Sequence, residues 1–141
     1  SDLEHPVISA DDYHHLSRVR RVRDGNQIVV SDGHGRWVAA RFAGETPHID
    51  GEVQTSDRPA PSVSVAFALV KGAKPELVVQ KLTELGVDRI RPFEAARSVV
   101  RWDSTKIAQA KARLDKVARE AAMQSRSAWI PTVDAVDTFD L

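Results

Sequence analysis

The stretch SVSVAFALVKGAKPELVVQKLTELGVD, residues 62–88, decides the fold. Its first half alternates Val63, Val65, Phe67 and Leu69 with the small residues Ser64, Ala66 and Ala68. That is the pattern of a strand that can be covered on both faces, as strands of α/β sheets are. Lys71 and Gly72 break the run. Pro75 then suits a first helical position, Glu76 supplies first-turn negative charge, and Gly86 follows the last apolar residue, Leu85, where a left-handed helix stop belongs. Between these signals Leu77, Val78, Leu82 and Leu85 form an expected apolar stripe, with Gln80, Lys81 and Glu84 on a polar edge.

Toward the N-terminus, residues 56–62, with Arg58-Pro59-Ala60-Pro61, read as a linker. Before it, His5-Pro6 disfavours helix. Residues 12–22 carry Tyr13, Leu16, Val19 and Val22 on one side of an expected helix and Arg18 and Arg21 on another, with Ser9 or Asp11 as cap and Asp24-Gly25 as its end. Residues 27–31 and 36–42 are predicted strands joined through Asp32-Gly33-His34-Gly35, a hairpin signal, and a third strand is expected at 51–55.

Toward the C-terminus, residues 88–93 read as a short strand interrupted by Pro92, which delivers residues 94–101 to the surface. Ser104 can cap a long helix in which Ile107, Ala110, Leu114, Val117, Ala118 and Ala121 recur at helical spacing, ending near Ser125. Residues 129–133 start another extended piece, and 134–141 carry no terminating element. Strand, helix, strand, helix, strand is half of an open α/β sheet.

The 141 residues suffice for one ordinary domain or two small ones. Twenty Lys and Arg balance twenty Asp and Glu, which argues against a generic polyanion-coating protein while leaving clustered charge free to mark a nucleic-acid face. The absence of cysteine excludes a disulfide scaffold, a Cys-based zinc site and a thiol nucleophile. No apolar run approaches a membrane span and no signal peptide pattern opens the chain, so the sequence reads as soluble and cytoplasmic.

Arg18, Arg20, Arg21 and Arg23 place four guanidinium groups within six residues, and the planar guanidinium fork suits bidentate phosphate contacts. The residues alone allow an RNA-facing patch or a solvated helix end offset by Asp11, Asp12 and Asp24 in equal measure. Lys71 lies at the C-terminal end of the central strand and Arg97 just beyond the next, where ligands of open α/β sheets collect. Their alternative is a pair of solvated charges at strand ends. For Glu84, paired with Lys81 or Lys74, and for Gln124, capping the long helix, structural roles rank above catalytic ones. Adjacent His14 and His15 point to different faces, and no spaced ligand set predicts a metal site. Trp37, Trp102 and Trp129 can stack on bases, but isolated tryptophans more often pack against a core.

Lys71-Gly72, Gln80-Lys81, Thr83-Glu84-Leu85-Gly86-Val87, Arg97-Ser98-Val99-Val100, and Glu120-Ala121-Ala122 with Gln124 and Arg126, taken in this order, resemble the RsmE family. Those enzymes methylate N3 of a uridine in small-subunit (16S) ribosomal RNA. The resemblance implies an N-terminal PUA-like β-barrel that holds RNA, followed by a SPOUT methyltransferase domain, an α/β fold whose knotted C-terminal part binds S-adenosylmethionine. It implies domains at residues 1–57 and 63–141 with a linker at 58–62, the second being the N-terminal half of the SPOUT domain. RNA contacts are expected at Arg18, Arg20, Arg21, Arg23, Lys71, Arg97 and Arg126. No catalytic residue is assigned.

Two family features are missing from residues 1–141: the Gly-Pro-Glu-Gly-Gly loop and the Leu-Arg-x-Glu-Thr-Ala segment that shape the cofactor pocket. The first strand, which usually carries Arg-Phe, is not visible either. The cofactor site is therefore expected beyond Leu141, and the 141 residues alone are expected to be inactive. Where the family has Val-Leu-Arg, this chain has Val19-Arg20-Arg21. The full-length enzyme is expected to be a homodimer acting on the small ribosomal subunit. The competing expectation is a stand-alone RNA-binding module without catalytic activity.

Overall fold

The computed structural model describes residues 2–69, 74–95 and 103–138. The chain forms two compact units, Ser1–Arg58 and Pro59–Leu141.

The first unit opens with a short helix, α1 (Ala10–His14), which continues as a π-helical turn, His15–Val19. Of the two expected caps, Ser9 is the one used. Its hydroxyl accepts the Asp12 backbone N–H at 3.2 Å and donates to the Asp12 carboxylate at 2.8 Å. The expected helix over 12–22 ends early, because Arg21 takes a left-handed φ of 52°. The π turn also corrects the expected apolar side. A wider turn slips the 3.6-residue phase, and Val19 is rotated outward to 62 % exposure. Tyr13 stacks on Phe42 with ring centroids 5.8 Å apart, tying α1 to the sheet.

Four antiparallel strands follow: β1 (Gln27–Ser31), β2 (Arg36–Arg41), β3 (His48–Ile49) and β4 (Gln54–Thr55). β2 is central, with β1 on one side and both β3 and β4 on the other. Ser31 faces Trp37 and Gln27 faces Arg41, the register of the expected hairpin. Gly33 and Gly35 reverse the chain at φ 76° and 92°. The Asp32 carboxylate accepts the backbone N–H groups of His34 at 2.7 Å and Arg36 at 3.2 Å. Burial alone would raise this carboxyl, but these N–H groups hold it below its ordinary value. Of the strand expected at 51–55 only Gln54–Thr55 forms, and β3 precedes it outside that range; the chain leaves the β2 edge after Asp50, whose N–H reaches Ala39 at 2.8 Å. Gly51, a poor strand residue, follows. Val38, Ala40 and Phe42 are buried. Trp37 is half-buried, and its indole N–H donates to Ser56 at 3.0 Å, a packing role.

The second unit is a parallel sheet with two helices: β5 (Ser64–Leu69), α2 (Pro75–Glu84), β6 (Arg89–Glu94), α3 (Ser104–Ser125), β7 (Thr132–Val133) and β8 (Asp137–Thr138). β6 is central, paired with β5 along its length, with β7 at its start and with β8 at its end. β8 lies in the segment where no element was expected. Pro92 is buried in this central strand, a position proline normally avoids because it has no N–H for the ladder. The break between β7 and β8 lies opposite it. Ile90 accepts the Asp134 N–H at 2.9 Å on that side, and Pro92, two residues on, points the same way where no partner strand runs.

The core is Val79, Val87, Ile90, Leu114, Ala118 and Val133, with Val65, Phe67, Leu82, Val117 and Ile130 packed against it. α2 and α3 therefore share one face of the sheet. β5 was expected to be covered on both faces, yet among the described residues only the Val65 and Phe67 side is, and Ser64 and Ala66 are exposed. The stripe expected on α2 is also displaced. Val79 and Thr83 are its buried residues, while Leu77 and Leu85 are 49 % and 79 % exposed. Thr83 is tolerated there because its hydroxyl donates to the Val79 carbonyl at 2.8 Å.

Candidate functional site

In the first unit, Arg18, Arg20, Arg21 and Arg23 are all exposed. Arg18 lies in the π turn, whose N–H of Arg20 reaches the His15 carbonyl at 2.9 Å and N–H of Val22 the Leu16 carbonyl at 2.9 Å. Arg21 then reverses the backbone. Arg23 begins a tight loop in which its N–H donates to the Asn26 side chain at 2.8 Å and the Asn26 N–H returns to the Arg23 carbonyl at 3.0 Å. Gly25 and Asn26 bond to Phe42 at 2.8 and 2.9 Å, so the loop is anchored at the end of β2. Arg18 and Arg21, placed by helical spacing on one face, are thus presented by two different backbone segments. The four cations line a turn rather than a helix side.

In the second unit, a cleft of about 400 Å³ lies between α2 and α3, lined by Lys74, Glu76, Leu77, Gln80, Val117, Glu120, Ala121 and Gln124. It brings together residues of two distant motif runs, Gln80 from α2 and Glu120, Ala121 and Gln124 from α3. The Arg113 guanidinium crosses to Glu76 at 2.6 Å and ties the helices. Glu84 is a helix-surface carboxylate. Lys81 donates to it at 2.7 Å and Gln80 at 2.9 Å, and these bonds, Lys81 first, hold its carboxyl below the ordinary value.

Arg126 is exposed at the C-terminal cap of α3 with φ 56°, its N–H directed at the Ala122 and Met123 carbonyls. Arg21 and Arg126 are the two non-glycine residues with positive φ among the described residues. Nothing in the sequence reading singled out this shared backbone feature. Gln124 lines the cleft, and the C-cap residue of α3 is Arg126. Lys71 and Arg97 lie outside the described residues, as do Trp102 and Ser98, Val99 and Val100. Among the described residues no group of three or more His, Asp or Glu side chains is arranged to hold a metal ion, and no helix is long and apolar enough to cross a membrane.

The cleft is built from side chains of two helices, and Lys74 and Glu76 bring the start of α2 into it. What the exposed cations can do is hold phosphate.

Residues 57–140 match the family described as RNA methyltransferase domain, and residues 8–49 the one described as RNA methyltransferase PUA domain. The chain is similar to ribosomal RNA small subunit methyltransferase E of Mycobacterium tuberculosis, 38 % identical over 134 residues, covering 92 % of this chain and 51 % of that protein. The Bacillus subtilis protein of the same name is 34 % identical, with 94 % and 54 % covered. Among solved structures, ribosomal RNA small subunit methyltransferase E from Neisseria gonorrhoeae, bound to S-adenosyl methionine, is 25 % identical with a TM-score of 0.78, covering 95 % of this chain and 57 % of that one. A Legionella pneumophila methyltransferase in complex with the same cofactor is 25 % identical with a TM-score of 0.80, covering 95 % and 58 %. The chain spans about half the length of the curated relatives it matches.

Proposed function

Because this chain belongs to the RNA methyltransferase domain family, we propose that it forms the RNA-holding unit and the first α/β half of an enzyme that methylates N3 of a uridine in small-subunit ribosomal RNA. The observation that carries this reading is a similarity that covers 92 % and 94 % of this chain, and so both units, to relatives named for small-subunit ribosomal RNA methylation. On this reading residues 1–57 are the PUA-like domain, 58–62 the linker and 63–141 the N-terminal half of the SPOUT domain. The enzyme is a cytoplasmic homodimer.

S-adenosylmethionine supplies a sulfonium-bound methyl group for in-line transfer. Uracil N3 carries a proton that must leave before or as the N–C bond forms, so the protein's share is positioning and stabilisation of developing negative charge. Arg18, Arg20, Arg21 and Arg23 are assigned to phosphates of the RNA, an assignment supported by their exposure on an anchored turn. Lys71 and Arg97 are assigned to the target nucleotide, where a cation favours the ionised base. The test is methyl transfer from tritiated S-adenosylmethionine to small ribosomal subunits by the full-length protein, with the product nucleoside identified by mass spectrometry. N3-methyluridine is expected. RNA binding without transfer, or methylation at another atom, overturns the proposal.

A further inference from the structure

We propose that the exposed face of α3 is a second RNA-backbone contact, in which Arg113, Lys116, Arg119 and Arg126 form a ridge of cations along which phosphates run. The inference rests on the RNA-substrate reading above and adds a surface on the α/β unit to the turn of arginines. The four residues, with Met123 between Arg119 and Arg126, follow one another at steps of three and four, and each is exposed. Within α3 such neighbours stand about 5–6 Å apart, and Arg126 lies just past the end of the helix, at its left-handed cap. From Arg113 to Arg126 the ridge is about 20 Å long, with three cations in its first half and the fourth at its far end.

Three observations point to a polyanion. The first is where the charge sits: Asp and Glu outnumber Lys and Arg in the unit Ser1–Arg58, and Lys and Arg outnumber Asp and Glu in Pro59–Leu141. The second is that helix electrostatics does not call for three of the four, Arg126 being at the C-terminal cap. The macrodipole favours cations within the last turn, and the last turn of α3 holds none; Arg113, Lys116 and Arg119 precede it. The third is the disposition of the acidic residues of α3. Asp115 is held by Lys111, and Glu120 is half-buried in the cleft beside α2. Arg113 is shared with Glu76, and Lys116 and Arg119 follow it along the helix.

Lys116 and Arg119 also interact with groups inside the protein, and the test separates that role from RNA binding. Binding of a fluorescein-labelled RNA hairpin by the 141-residue chain is followed by anisotropy from about 50 to 200 mM potassium chloride. The Lys116→Gln/Arg119→Gln variant is expected to bind more weakly, with the slope of log K against log salt reduced by about 1.5, as losing two phosphate contacts requires. The charge-preserving Lys116→Arg/Arg119→Lys variant is expected to keep the parental slope. A neutral variant that folds, by circular dichroism, and keeps the parental slope overturns the ridge and leaves an acidic protein surface as the alternative occupant. Loss of slope in both variants also overturns it, since geometry and not charge then matters. A parent chain that binds no RNA overturns both the ridge and the RNA-substrate reading.

Discussion

Arg21 and Arg126 hold the backbone in the left-handed region, which costs an L-residue with a side chain roughly 1–2 kcal/mol relative to the right-handed one. Glycine does this work at Gly25, Gly33, Gly35, Gly44 and Gly86. Retaining arginine at the other two places implies that its side chain contributes something the fold does not need, and strain of this kind gathers at functional positions. Arg21→Gly is therefore expected to leave stability unchanged or raise it by up to about 1 kcal/mol, the gain being partly offset by the greater freedom of an unfolded glycine. It should also weaken RNA binding and reduce the salt slope by about 0.8. Urea unfolding and anisotropy measured on the same preparation check both halves. A variant destabilised by more than about 1 kcal/mol would give Arg21 a structural role. The arginine cluster was legible because composition alone displays it. Its geometry was not, since a π turn and a positive φ have no periodic signature.

The elements whose ends carry chemical marks were the ones the sequence revealed. α2 starts at Pro75 as expected and closes on Gly86 at φ 79°, with the N–H of Gly86 on Thr83 at 3.0 Å and that of Val87 on Leu82 at 3.1 Å. These are the two bonds of a glycine-terminated helix. A Cβ on Gly86 would meet nothing within 4 Å, so Gly86→Ala is expected to cost only backbone strain, about 1 kcal/mol, read as a lower urea midpoint at unchanged slope. What the pattern misplaced on α2 was the phase. Leu77 and Leu85 look more apolar than Thr83, but a threonine that satisfies its own hydroxyl can occupy the core, and only packing against α3 reveals which side faces inward. At α3 the cap is Asp103 rather than Ser104, its carboxylate accepting the Lys106 N–H at 2.8 Å. That bond holds the Asp103 carboxyl below its ordinary 3.8. Since the folded value is the lower one, the stabilisation is present above the unfolded value and lost as pH falls through the folded one. Asp103→Asn keeps a capping oxygen, so the gap in melting temperature between parent and variant is expected to narrow steadily as the pH is lowered through the acid range. A gap independent of pH would place the stabilisation elsewhere.

At the scale of the whole chain, the second unit presents one finished and one open side. Parallel sheets are ordinarily covered on both faces, yet among the described residues α2 and α3 pack on a single face, and the other carries Ser64 and Ala66 of β5 beside Arg89 and Arg91 of β6. Both arginines converge on Asp134, Arg89 at 3.0 Å and Arg91 at 3.0 Å. The face is thus small and polar rather than the apolar sheet surface that the run of valines and phenylalanine suggested, because the large side chains of β5 all turn toward the helices. β5 pairs only with β6 among the described residues, which leaves a row of backbone groups on its outer edge able to pair with another strand. We therefore expect the 141-residue polypeptide to associate in a concentration-dependent way through this edge and face. Contacts made by backbone hydrogen bonds and small apolar groups should persist at about 1 M salt, where the Debye length is roughly 3 Å, whereas contacts made by Arg89, Arg91 and Asp134 should not. Sedimentation velocity at low and high salt distinguishes the two. Ser64→Lys, which sets a charge on the exposed side of the edge strand, should return the protein to monomer without unfolding it; a parent that stays monomeric at every concentration would show that the open edge is already protected.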